Sequence, residues 1–263
     1  MTSPAIELQN LAFHTGQGTL FADLNLTFFT GRCSVLMGPA GCGKSTLLKI
    51  AAGLIIPTGG RAVFEGLAWD TAAEERVLEA RQRSGFVFQN AALWANKSVW
   101  QNIELPLVFH NPKMEKSQVD EKVRSAGRKV GLREIWNERP AHLSLGEQKL
   151  VSFARAIVHD PQVLFLDDPT AGIDSQLKEK LLGLIEEFRG LGKTIVLVTQ
   201  DPTVTARVAD DLAVMKNGKI LSQGTLSEVA RNTDPEVIDI LTAVLSQAAT
   251  FSGDILDLLS NGS

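Results

Sequence analysis

Apolar and polar residues alternate, with one slip, from Ile6 to Phe13 (Ile6, Leu8, Leu11, Phe13), and the alternation returns from Leu24 to Phe28 after Gly16 and Gly18. A period of two puts one side of each segment against a core, so the pattern predicts two antiparallel strands. Cys33 to Met37 reads as a further strand that runs into a helix from Lys44 to Ala52. Gly59-Gly60 breaks the chain before Arg61 to Phe64, and Glu65-Gly66 marks the next turn. A charged helix is expected from Ala72 to Arg83 and a short buried strand from Gly85 to Phe88. Residues of about 90 to 155 are helix-rich, with breaks expected at Pro106, Pro112, Gly131 and Pro140, and read as an inserted subdomain. Val163 to Leu166 and Thr194 to Thr199 are continuous apolar or β-branched runs separated by a helix, as parallel strands buried on both faces require. Val214-Met215 and Lys219 to Leu221 flank Asn217-Gly218, a hairpin signal.

The tail from Pro235 sets Val237, Ile238, Leu241, Val244 and Leu245 on one helical face, and Ile255, Leu256, Leu258 and Leu259 follow Gly253. That face is expected to pack on its own domain; docking on a second subunit is the other reading. The chain carries no internal repeat and no low-complexity tract.

Composition narrows the class. At 263 residues and 44% hydrophobic, the chain suffices for one large or two small domains with buried cores. No apolar run reaches the roughly 18 residues needed to cross a bilayer, and the first twenty residues lack a basic segment followed by an apolar one. The expectation is a soluble cytoplasmic chain. Cys33 and Cys42, the two cysteines, lie nine positions apart and form no disulfide framework; Cys42 reads as a tolerated loop residue. A net charge of −4 gives no electrostatic footprint for nucleic acid.

Candidate chemistry begins at Gly38-Pro39-Ala40-Gly41-Cys42-Gly43-Lys44-Ser45, which matches G-x-x-x-x-G-K-[ST] at each fixed position and lies between a strand and a helix. Glycines let backbone approach phosphate, N–H groups at a helix start donate to its oxygens, and the helix dipole favours negative charge there. The segment, taken with Thr46, predicts binding of a nucleoside triphosphate. Lys44 would reach the terminal phosphates and Ser45 would complete the shell of a magnesium ion. Val163-Leu-Phe-Leu-Asp167 adds an apolar strand ending in a carboxylate suited to orienting that ion through water.

Leu143-Ser144-Leu145-Gly146-Glu147, with the helical Phe153-Ala154-Arg155-Ala156 behind it, resembles the signature motif of ATP-binding cassette (ABC) proteins. Gln89 after Phe-Val-Phe88 resembles that family's Q-loop glutamine, and Pro169-Thr-Ala-Gly-Ile-Asp174 its D-loop; the resemblance covers roughly residues 5 to 230. It implies an α/β fold: a P-loop nucleotide-binding domain of ABC type over residues 1–230, with an antiparallel β subdomain and a helical subdomain at about 90–155. A helical tail over 231–263 would follow. It also implies ATP and Mg2+ as cofactors, with Ser45, Gln89 and Asp167 at the metal. The chain would dimerise with a like or unlike cassette so that Ser144, Gly146 and Glu147 close on ATP held by the other subunit's loop, Asp174 lying nearby. Gln89 would couple the metal site to the helical subdomain, which would receive an integral membrane permease subunit. Contact with the cytoplasmic face of the inner membrane would come only through that partner. The tryptophans of Ala92-Leu-Trp94 and Trp100 are open to two readings, partner anchors or core.

The chain departs from the family pattern around the γ-phosphate. Asp168 stands where glutamate usually polarises the attacking water, and Gln200 where a histidine usually contacts the phosphate. With Gln89 these are the candidate catalytic residues. A reach shorter by about 1 Å at a reacting centre lowers rate on the order of 10²-fold, and glutamine carries no charge. Slow hydrolysis with retained ATP binding is therefore expected. Leu145 and Glu147 replace the common Gly and Gln of the signature, and a bulky side chain is expected to intrude there. Thr15 occupies the usual adenine-stacking position, leaving Phe13 or His14 as substitutes.

Phe88-Gln-Asn-Ala-Ala-Leu-Trp94, Asn102-Ile-Glu-Leu-Pro106 and Asp234-Pro-Glu-Val-Ile238 most resemble ATPase subunits of Mce/Mla-type phospholipid transporters. Transport of another solute, or a degenerate cassette that regulates a competent partner, are the rival readings. Cassette proteins acting on DNA or ribosomes typically join two cassettes or carry long coiled coils, neither of which this sequence has.

Overall fold

The computed structural model describes residues 3–16, 18–132 and 134–248. In chain order its strands are β1 Pro4–Thr15, β2 Gly18–Phe29, β3 Cys33–Met37, β4 Gly59–Phe64, β5 Leu67–Ala68, β6 Ser84–Val87, β7 Val163–Asp167, β8 Thr194–Val198, β9 Asp211–Lys216 and β10 Lys219–Thr225. Its helices are α1 Lys44–Ala51, α2 Glu74–Gln82, α3 Val99–His110, α4 Lys116–Val130, α5 Leu145–Ile157, α6 Ser175–Gly190, α7 Pro202–Val208, α8 Leu226–Ala230 and α9 Pro235–Ala248. None is long and apolar enough to cross a membrane, among the described residues. Two units divide them: one combines the chain up to Ala72 with the chain from Arg189 onward, and the other runs Ala73–Phe188.

In the first unit an antiparallel sheet has the order β2-β1-β4-β5. Ile6 faces Phe28 and Leu8 faces Leu26 across β1 and β2, so the alternating apolar residues meet on one side. The slip in the alternation is a register shift between Leu8 and Leu11, where Asn10 adopts φ 48° and its N–H donates to Asn25 Oδ1 at 2.8 Å. A second sheet places β3 parallel to both β8 and β9. Cys33, Val35 and Leu36 of β3 and Ile195, Val196 and Leu197 of β8 are wholly buried, as continuous apolar strands demand. Asn217 and Gly218, both at positive φ, turn β9 into antiparallel β10. Burial of α1 runs along Leu47, Leu48, Ile50 and Ala51. In the tail, Val237 and Leu241 are buried and Ile238 is exposed, so packing on its own domain holds for the described part. The side chains of Val244 and Leu245, and Ile255, Leu256, Leu258 and Leu259, lie outside the described residues.

The second unit pairs β6 with β7 in parallel, Ser84 beside Val163 and Val87 beside Leu166. The helices expected over about 90–155 are α3, α4 and α5. One expected break fails: Pro106 lies inside α3, which continues to His110. Proline removes one helical N–H, but burial of Val99, Ile103 and Leu107 on the same face outweighs that loss. Gly131 does end α4, in the left-handed conformation at φ 67°. Asn102, wholly buried, fastens the segment before α3: its Oδ1 accepts from Trp94 N at 2.8 Å, and its Nδ2 donates to the carbonyls of Trp94, Lys97 and Ser98 at 3.2, 3.2 and 2.9 Å. Trp100 packs edge-on against Trp136 under the Arg124 guanidinium, whereas Trp94 is 54% exposed.

Candidate nucleotide site

The first unit carries the phosphate loop. β3 ends at Met37, and Gly38 follows at φ 154°, where an added Cβ would lie 2.0 Å from the Met215 carbonyl oxygen. At Gly43, φ 103°, a Cβ would stand 2.7 Å from the Phe21 ring. Only glycine satisfies both backbone angle and space at these positions. Pro39, Ala40 and Gly41 are exposed, while Cys42 is buried under the loop. Gly43 is also the N-cap of α1, and no side chain caps that helix. Lys44 is buried, and its ammonium donates to the Gly38 and Pro39 carbonyls at 2.8 and 2.7 Å. Ser45 and Thr46 occupy the first turn, half-buried.

Beyond β8, Gln200 is exposed beside Asp201, whose carboxylate caps α7 through the N–H groups of Thr203 and Val204. At the expected base site, Thr15 donates its hydroxyl to the Gly18 carbonyl at 3.1 Å. Phe13 is half-buried against Phe21, and His14 stands exposed, bonded to the Thr19 hydroxyl at 2.9 Å.

The second unit carries the carboxylates and the signature segment. Asp167 ends β7 and is 2% exposed. Asp168 follows in the left-handed region at φ 45°, and its carbonyl accepts from Lys149 Nζ at 3.0 Å and from Ala171 N at 3.2 Å. Burial holds the Lys149 ammonium below the usual lysine range, opposed by the fields of Asp168 and Asp167. Gln89 is exposed after β6, and Ala91 and Ala92 behind it are both at positive φ, 61° and 46°. Their carbonyls accept from Arg155 Nη2 and Nη1, at 2.8 Å each, and burial pushes that guanidinium down to about 10.

Ser144 is the N-cap of α5 in a reciprocal capping box. Its Oγ accepts from Glu147 N at 3.2 Å, while Glu147 Oε2 accepts from Ser144 N at 2.9 Å and from Ser144 Oγ at 2.8 Å. Glu147 thus caps its own helix, a role that the S-x-x-E spacing carries in the sequence and that the substitution-based reading missed. Leu145, the bulky residue of the signature, stands 47% exposed beside Gly172 and lines the same cleft as Ser144 and Gly146. Close packing falls instead on Gly146, where a Cβ would come within 2.6 Å of Leu177. These residues line an open cleft of about 680 Å³ with Asp174 and Lys180, and Asp174 Oδ1 accepts from Leu177 N at 2.9 Å at the start of α6.

The arrangement fits its implied occupants. A loop lined by obligatory glycines, a helix start without a side-chain cap and a buried ammonium suit a triphosphate. Among the described residues no group of three or more His, Cys, Asp or Glu could hold a metal by itself. The buried Asp167 carboxylate in one unit and the Ser45 hydroxyl in the other are each oxygen donors of the kind magnesium takes. Of the residues expected at the nucleotide, Lys44, Ser45 and Gln200 belong to the first unit, and Gln89, Asp167, Asp168 and Ser144 to the second.

The family model described as ABC transporter matches residues 21–171. The chain belongs to the ABC transporter family. It is 34% identical to the sulfate/thiosulfate import ATP-binding protein CysA of Neisseria meningitidis over 256 residues, covering 95% of this chain and 69% of that protein. It is 34% identical to the macrolide export ATP-binding/permease protein MacB of Hyphomonas neptunium, covering 90% of this chain and 37% of that one. Among solved structures, the dimeric ATP-binding cassette MJ0796 in a post-hydrolysis state bound to ADP and Pi aligns with a TM-score of 0.78 at 29% identity, over 84% of this chain and 98% of that chain. The fold is that of an ABC-type P-loop cassette, and the chain is an ATP-binding cassette of the family. Its span ranges from about a third to about two thirds of the length of these curated relatives.

Proposed function

We propose that this chain is the ATP-driven subunit of a membrane transporter. Two cassettes close on ATP, each nucleotide held by one subunit's loop and met by Ser144 and Gly146 of the other, and they part after the γ-phosphate leaves. The observation that carries this reading is the glycine-lined loop ending in Lys44 at a helix start with no side-chain cap. Lys44 would neutralise terminal phosphate oxygens, and Asp168 and Gln200 would orient the attacking water. Ser45, Asp167 and Gln89 would hold magnesium, which would supply charge neutralisation at the nucleotide phosphates. Dimeric MJ0796 supports association in pairs. A membrane permease, with this chain on its cytoplasmic face, follows from the same reading. Sedimentation with and without Mg-ATP tests it: ATP-dependent dimers are expected, and a chain that stays monomeric and binds no nucleotide overturns it.

Hydrolysis at a site built from Asp168 and Gln200 is proposed to be slow, on the reach argument above. Phospholipid is the proposed cargo, supported by the three Mce/Mla-like strings alone; the relatives named above are a sulfate importer and a macrolide exporter. Phospholipid analysis of the complex purified from detergent-solubilised membranes decides this. Enriched bound lipid supports the assignment, and a permease that captures a small solute instead overturns it.

A further inference from the structure

Helix α5 holds two buried cations, and each is bonded to backbone in the left-handed region. Lys149 is 1% exposed and meets the carbonyl of Asp168; Arg155 is 9% exposed and meets those of Ala91 and Ala92. A buried ammonium or guanidinium is costly unless its protons are used, and an apolar side chain would fill either position more cheaply. Non-glycine residues at positive φ are likewise held only where their surroundings over-determine them. The two expenses coincide in space at three of the non-glycine residues with positive φ, Asp168 itself and Ala91-Ala92, two and three residues after Gln89, and the charges on α5 are what grips them. Both grips lie on the helix whose first turn is Ser144 and Glu147.

We propose that Lys149 and Arg155 are positioning residues, through which α5 sets the backbone at Asp168 and at the turn behind Gln89. Lys149 fixes the carbonyl of Asp168, which directs the short carboxylate; Arg155 fixes two successive carbonyls and so the direction in which Gln89 leaves β6. Because one rigid helix bears both, displacement of its signature end moves both loops together. The inference rests on the roles proposed above for Asp168 and Gln89.

Two variants separate it from a plain packing role. Lys149→Met and Arg155→Met keep side-chain bulk and remove the charge, so the melting temperature should hold or rise. Hydrogen exchange read by mass spectrometry should change crosswise. In Lys149→Met the amides of residues 168 and 170–172, including Ala171, should exchange on the order of 10-fold faster while 89–93 stay as they were; Arg155→Met should give the reverse. Mg-ATP affinity should remain within about two-fold and kcat should fall on the order of 10-fold, with Lys149→Arg recovering part of the loss. Exchange that rises equally in both segments, or in neither, overturns the proposal, as does a parallel loss of stability and turnover. Should a methionine variant not fold, Lys149→Gln and Arg155→Lys read by the same exchange pattern carry the decision. Absence of ATP-driven dimers in the unmodified chain would instead refute the function proposed above and leave the exchange pattern to stand or fall by itself.

Discussion

Two helix starts in this molecule are assigned to the same kind of ligand and are built in opposite ways. α1 opens from Gly43 with no side-chain cap, whereas α5 opens from Ser144 with its hydroxyl and N–H closed in a ring with Glu147. The first leaves donors to a phosphate. The second satisfies itself within one subunit, and a phosphate arriving there must share Ser144 with a carboxylate. Under the proposed function the phosphate loop would bind ATP in a lone chain, while the signature segment, a finished helix end, would gain a ligand only when another subunit brings one. Binding should follow the first and association the second.

The sharpest way to break this comparison is Lys44→Ala. Loss of charge-assisted bonds to phosphate should weaken ATP binding by about 100-fold, measured by calorimetry on the isolated chain. Ser144→Ala should leave that isotherm within about two-fold and weaken ATP-dependent dimerisation by about 10-fold in sedimentation, the scale of one charge-assisted bond. Equal effects of the two on single-chain binding would erase the distinction. Restoring length and charge with Asp168→Glu and Gln200→His should raise phosphate release by on the order of 10-fold or more without altering ATP affinity. Glu147→Ala opens the α5 box and should cost about 1 kcal/mol, seen as a fall in melting temperature of roughly 2–4 °C, because the lost bonds are those of a cap.

The smallest effect concerns pH. Burial holds His159 and, less completely, His110 below the ordinary histidine value. The folded chain thus takes up protons less readily than the unfolded one, so their contribution is complete above pH about 6.5 and is lost as pH falls below it. Melting temperature should drop modestly between pH 7.5 and 5.5, and His159→Gln should flatten the profile.

Much of this architecture is legible in the chain. The strands β3, β7 and β8 follow from unbroken apolar runs, and the glycine pattern at Gly38 to Lys44 announces the loop because phosphate contact dictates residue type at fixed spacing. Ser144 and Glu147 announce a cap as plainly, although comparison with family consensus drew attention to what they replace and away from what they bond. Pro106 misled because a local rule about one N–H says nothing of three apolar residues on the same face. Lys149 and Arg155 were hidden for a different reason. Their partners, Asp168 and Ala91-Ala92, lie 19 and 63 to 64 residues away, and no periodicity marks a cation that reaches a distant carbonyl.

The amide of Asn102 has a consequence for how Trp94 meets anything outside the chain. Four bonds from one buried side chain turn the stretch from Trp94 to Ser98 into a fixed mount. An indole presented on such a mount is preorganised: a surface that receives it need not first still a wandering loop, and little conformational entropy is surrendered on contact.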